Sequence, residues 1–230
     1  MDGAGHLSTM TWDTVPADAL VLIPVGSTEQ HGPHLPLATD AIIAERIARE
    51  AAPLIAERTG VRVVVAPTLP YGASGEHQDF PGTVSIGHDA LRQVLVELVR
   101  SISNWAGRVV LVNGHGGNSR TVVEVVRQLA GEQHRVGYVN CSIESEIDAH
   151  AGHHETSLLL HLRPDIVSTG RAEVGAVEPL ERLLPTLVAV GVRPVSPNGV
   201  LGDPTRASAD DGRAAFSAMV RQLVREVCDV

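Results

Sequence analysis

Lysine does not occur among the 230 residues. Its absence excludes a P-loop, whose lysine reaches nucleotide phosphates, and any Schiff-base chemistry. Cysteine is nearly as scarce. Cys141 and Cys228 cannot build a disulfide framework or a zinc knuckle, and they point to a reducing, cytoplasmic setting. No apolar run approaches the ~18 residues that a membrane span needs. The opening residues, MDGAGHLSTM, have neither the basic region nor the apolar stretch expected of a secretory signal. With a formal charge of −9 and arginines scattered among acids, the chain lacks the basic stripe of a nucleic-acid surface. Repeats, low-complexity tracts and linkers are missing too.

What remains is 43% apolar, enough to bury one good core in a domain of ordinary size. Histidine is the outlier, with eleven residues, several of them where a helix or strand pattern breaks. The densest stretch is Val21 to Asp40, VLIPVGSTEQHGPHLPLATD. Leu20 to Val25 reads as a buried strand. The loop after it carries Glu29, His31, His34 and Asp40, the carboxylate and imidazole types that suit zinc, iron or manganese. Glu29 and His31, at i and i+2, leave an extended chain on the same side. Asp40 sits where a helix should begin, so an N-cap role is the competing reading.

The rest of the chain alternates strand and helix patterns. Strands are expected at 61–67, 82–87, 108–113 and 135–140. Helices are expected at 40–58, where Pro53 should bend or end the helix early, at 88–104, from an Asn118 N-cap to Gly131, over SLLLHL, and at 207–227 behind a Ser208-x-x-Asp211 cap. The pattern from 165 to 203 is weaker and rich in turns. Such alternation predicts one α/β domain, three layers deep, around a mostly parallel sheet. Loops after the carboxyl ends of parallel strands gather on one rim, where ligands bind. Glu29, His31, His77 and His115 all follow strands, so they can meet there although far apart in the chain.

Glu29, His31, Asp40 and His115 form the first candidate set, with the two oxygens of Asp40 suited to bridging. The glycines around His115, in GHGGN, let backbone approach a ligand closely. A phosphate cradle at a helix start is the alternative, but the spacing is not G-x-G-x-x-G. His150 and Glu155 in HAGHHETS form the second set. Position 158 is leucine, so this is not an H-E-x-x-H zinc helix.

The segments GSTEQHGPHLPLATD, SGEHQDFPGT, NGHGGN and HAGHHETS, in this order over nearly the whole chain, resemble the creatininase family of metal-dependent amidohydrolases. The resemblance implies a creatininase-like fold and a homo-oligomer. It also implies a centre of two divalent ions, zinc and/or iron with manganese possible, held by Glu29, His31, Asp40 and His115 with Asp40 bridging. His150 matches the family's proton-moving histidine. Ser74 and His77 lie where relatives contact substrate, and His153 is a further candidate there. The family's creatinine-cleaving members carry a glutamate two residues after the last ligating histidine; here that residue is Gly117. Glu155 is the expected replacement. The missing glutamate counts against creatinine as substrate. With His153 and the late NGVLGDPT, the chain most resembles a peptidase branch of the family, and that resemblance implies a modified precursor peptide as substrate and release of a C-terminal Val-Tyr dipeptide. A small cyclic amide or formamide is the alternative substrate class, and a purely structural metal in a binding protein is a third reading, disfavoured because structural zinc prefers cysteine.

Overall fold

The computed structural model describes residues 4–141 and 147–229. Among these residues five strands, β1 (Ala4–His6), β2 (Leu20–Val25), β3 (Val63–Val65), β4 (Arg108–Asn113) and β5 (Val136–Asn140), form one sheet in the order β1-β3-β2-β4-β5. Every pairing is parallel. Around it lie α1 (Thr39–Thr59), α2 (Gly87–Ile102), α3 (Ser119–Gly131), α4 (His153–Leu162), α5 (Leu180–Val190) and α6 (Ala209–Cys228). The continuous apolar runs of the central strands are buried on both faces. Leu20, Leu22, Val110 and Val112 pack into one cluster with α1, α4 and α6. Val21, Ile23, Val109 and Leu111 pack into the other, with α2 and α3. This is the expected α/β/α sandwich. Its C-terminal helix begins as the sequence indicates, with Ser208 Oγ accepting the Asp211 N–H at 3.1 Å.

Four local expectations are corrected. Pro53 does not end α1, which runs on to Thr59. Pro53 faces solvent while Ile47, Ala51, Ala52 and Ile55 are buried against the core, so packing outweighs the lost backbone bond. Residues 82–87 form no strand. Val84 N–H donates to Thr28 O and Ile86 N–H to Gly72 O, two separate loops rather than a ladder. Asn118 does not cap α3 with its side chain. Its Oδ1 instead accepts the Ala73 N–H at 2.9 Å and its Nδ2 donates to Gly26 O at 3.0 Å, tying three strand-end loops together. Asp40 is no N-cap either: it lies inside the first turn of α1, and its carboxylate is used elsewhere.

Strand order places the site. The chain leaving β2 leads to β3 on one side, and the chain leaving β4 leads to β5 on the other. Between the carboxyl ends of β2 and β4 the connections part, which opens a crevice. Gly26 and Gly114, just past those ends, allow α1 to come close. A Cβ on Gly26 would lie 2.5 Å from Ala41 N, and one on Gly114 2.6 Å from Asp40 O. The start of α1, with Asp40, is thereby set at the mouth of the crevice. No described helix is long and apolar enough to cross a membrane.

Candidate metal centre

The loop after β2 contributes Glu29 and His31, the first turn of α1 Asp40, the loop after β4 His115, the segment entering α4 His150, and the first turn of α4 Glu155. Among the described residues, three overlapping groups offer ligand atoms within 4.8 Å of one another: Glu29, Asp40 and His115; His31, Asp40 and Glu155; and Glu29, His31 and His150. Asp40 is common to the first two, as a bridging carboxylate must be. His31 Nε2 is 3.0 Å from Asp40 Oδ1, and His115 Nδ1 is 3.2 Å from Asp40 Oδ2. Glu29 Oε2 lies 3.2 Å from His115 Nε2. Glu155 Oε2 lies 3.8 Å from His31 Nε2 and accepts the Ala151 N–H, Ala151 taking φ 53° to aim it.

Whether this set suits a cation can be tested on Glu29. Its side chain is 0% exposed, and among the described residues neither carboxylate oxygen has a hydrogen-bond partner. A buried carboxylate left this way is costly unless a positive charge completes it. With no cation, protons take that place. Burial raises Glu29 to about 7, against the pull of His115. Burial also works to lower His31 and His115, but Asp40 beside the first, and Glu29 and Asp40 beside the second, hold both at about 10. Burial would raise Asp40, yet His31 and His115 keep it well below the carboxylate range. The neighbours are held neutral: burial, then the charges of His31 and His115, push His77 down to about 3. Burial and the nearby His77 and His31 lower His150. Hard carboxylate oxygens mixed with imidazole nitrogens suit zinc, manganese or iron.

A cavity of about 1120 Å³ opens over this cluster, with Asp40, His77, His115, His150 and Glu155 on its floor. Leu184 and Val188 of α5 stand on its rim, half-exposed or more. His77 therefore lines the cavity. Ser74 is fully buried behind it, its hydroxyl 3.5 Å from His115 Nε2, and does not line the cavity. His153 turns away: its Nε2 faces Asp211 of α6 at 3.5 Å, and it lies outside the cavity lining. His154 pairs with Asp148. Two site residues escaped the sequence reading. Glu76 Oε1 lies 3.6 Å from His115 Nε2. Gln30, 5% exposed, contacts both His77 and His150. The only sequence signal for Gln30 was its place between two candidate ligands.

A parallel sheet with carboxylates and imidazoles converging past its strand ends defines an α/β protein with a centre built for divalent cations. The chain belongs to the creatininase family of hydrolases: the family model described as creatinine amidohydrolase matches residues 8–227. Over 231 aligned residues it is 49% identical to the mycofactocin precursor peptide peptidase of Mycobacterium ulcerans, covering 97% of this chain and 90% of that one. The protein of the same name from Mycolicibacterium smegmatis is 51% identical over 201 residues, 87% of this chain and 81% of the other. Among solved structures, a putative creatinine amidohydrolase from Bacteroides fragilis superposes with a TM-score of 0.84 at 29% identity, covering 100% of this chain and 97% of that one. A Zn-Zn creatininase variant and a manganese creatininase match with TM-scores of 0.77 and 0.76, at 27% and 26% identity and 97% coverage of each chain.

Proposed function

We propose that this chain is a metal-dependent peptidase that cleaves a modified mycofactocin precursor peptide, releasing a C-terminal Val-Tyr dipeptide. The single observation that supports it most is the pair of carboxylate–imidazole groups sharing Asp40 at the floor of a cavity large enough for several residues of a peptide. Relatives about half identical over most of the chain carry the peptidase name. The Val-Tyr product comes from the resemblance to that branch.

Glu29, Asp40 and His115 would hold one cation, and His31, Asp40 and Glu155 the other, zinc or iron being favoured and manganese compatible. Bound there, divalent cations supply Lewis acidity that makes water reactive near neutral pH and polarises an amide carbonyl. The chain's own part is orientation and proton transfer. His150 presents Nδ1 toward the cluster, 3.7 Å from Glu29 Oε1, where it can take the proton of the attacking water and pass it to the departing amine. Leu184 and Val188 give the cavity an apolar rim against which apolar substrate side chains can pack. A cytoplasmic location and a homo-oligomer complete the reading.

The test is direct. Purified protein loaded with zinc or iron is incubated with the modified precursor peptide, and products are read by mass spectrometry, with creatinine and a simple formamide in parallel. Loss of a C-terminal dipeptide from the peptide alone is expected. Turnover of creatinine or formamide with the peptide left intact would transfer the assignment to a small-amide hydrolase.

A further inference from the structure

Gln30 lies between two cation-ligand candidates, yet its amide serves other partners. Two of them have only one possible role, which fixes the amide's orientation. The Gly32 N–H donates to Oε1 at 2.9 Å, and the Gly199 carbonyl accepts from Nε2 at 2.9 Å. A flipped amide would set donor on donor and acceptor on acceptor. The second N–H of the amide reaches His77 Nδ1 at 2.8 Å. Because an amide nitrogen only donates, His77 Nδ1 carries the lone pair and the ring proton sits on Nε2. That N–H points into the centre, 3.4 Å from Glu29 Oε1.

His150 is set the opposite way by the same residue. Its Nε2 is 2.7 Å from the backbone carbonyl of Gln30, which can only accept, so Nε2 carries the proton. Nδ1, facing Glu29, is left bare. The 3.1 Å approach of Gln30 Nε2 to His150 Nε2 is then a contact between two donors rather than a hydrogen bond. The two rings lie 4.3 Å apart between centroids, so a donor and an acceptor are presented side by side.

We infer that Gln30 is a positioning residue that fixes His77 and His150 in opposite tautomers, so that His77 donates to the carbonyl oxygen of the scissile amide as it gains charge while His150 accepts the proton. A donor fixed in advance at a buried position loses little to reorganisation and stabilises developing negative charge strongly. The late NGVLGDPT loop belongs to the same device. Gly199 has φ 81°, and a Cβ there would lie 1.9 Å from Gln30 Oε1. Gly199→Ala should therefore displace the amide without removing it. The catalytic half of this inference rests on the hydrolase reading; the tautomers do not.

Histidine-selective ¹⁵N labelling and long-range proton–nitrogen NMR read the tautomers directly, in metal-free and zinc-loaded protein. His77 is expected with a bare Nδ1 and a protonated Nε2, and His150 with the reverse. Gln30→Glu puts a pure acceptor against His77 Nδ1 and should draw the proton there. The expected kinetic result is a fall in kcat of about 10²-fold with KM changed far less, and Gly199→Ala should move both readouts the same way. A wild-type spectrum with His77 protonated on Nδ1 overturns the inference and needs no variant to fold. So does a Gln30→Glu variant whose His77 flips while kcat holds. Tautomers as described, with no substrate cleaved, would uphold the geometry and sink the peptidase reading instead.

Discussion

Position 117 holds glycine where the resemblance to the creatinine-cleaving members of the family implies a glutamate. The geometry around it forbids any side chain. A Cβ on Gly117 would fall 2.4 Å from His115 Nε2 and 2.6 Å from both Ala73 O and Glu76 Oε1. A carboxylate could reach the His31 side of the cluster only from elsewhere, and Glu155 does so, within the ligand group it forms with His31 and Asp40. Burial raises Glu155 against the pull of His31. Glu155→Ala should lower bound metal by about one ion per chain, the other remaining on Glu29, Asp40 and His115. Elemental analysis of the purified variant gives that count, and full occupancy would remove Glu155 from the ligand set.

Elements carry these residues, and their packing can be tested apart from the chemistry. α4 brings Glu155 to the centre, and α6 backs it at very short range: a Cβ on Gly212 would lie 1.8 Å from Ser157 O. Gly212→Ala must push α4 and α6 apart, an overpacking cost of about 1–3 kcal/mol. A lower Tm together with weakened metal retention is expected from thermal unfolding and dialysis against chelator. An unchanged Tm would mean that the two helices slide apart freely. α5 behaves oppositely. Val188 is 80% exposed and Leu184 51% exposed, so neither holds the core together, yet both stand on the cavity rim. Leu184→Asp and Val188→Asp should raise KM for an apolar peptide several-fold while Tm stays within about a degree, the surface-substitution expectation. Equal KM values would mean that the peptide does not cross this helix.

For the molecule as a whole, legibility in the sequence followed how local each cause was. The central strands announced themselves because burial on both faces leaves unbroken apolar runs, and the ligand types were conspicuous because they cluster where those runs stop. β1 spans only three residues, AGH, too short for any pattern. Residues 82–87 read as a strand from composition, but only the absence of a neighbouring ladder decides otherwise. The role of Gln30 is set by partners 47 and 169 residues away, beyond any local signal. The charge balance of the buried cluster is equally non-local, and it predicts how stability depends on pH. Without metal, the folded chain keeps protons on His31 and His115 up to about 10, whereas histidines of the unfolded chain release theirs near 6.5. Between those values the folded state binds more protons, so stability falls as pH rises. On the acid side, His34 and His77 stay neutral down to about 4 and 3 while unfolded histidines protonate below 6.5, so stability falls as pH drops. His150, also lowered by burial, adds to that acid trend, while Glu29, holding its proton from 4.5 up to about 7, and Glu155, likewise raised by burial, oppose it with one site fewer. The metal-free protein should therefore show its highest Tm near pH 6.5 and lose stability toward pH 10. Zinc should abolish the alkaline decline by replacing the protons on His31 and His115. Thermal unfolding from pH 4 to 10, with and without zinc, measures both limbs. A metal-free protein that stays equally stable from pH 6.5 to 10 would mean that these histidines are not holding protons for a cation to displace.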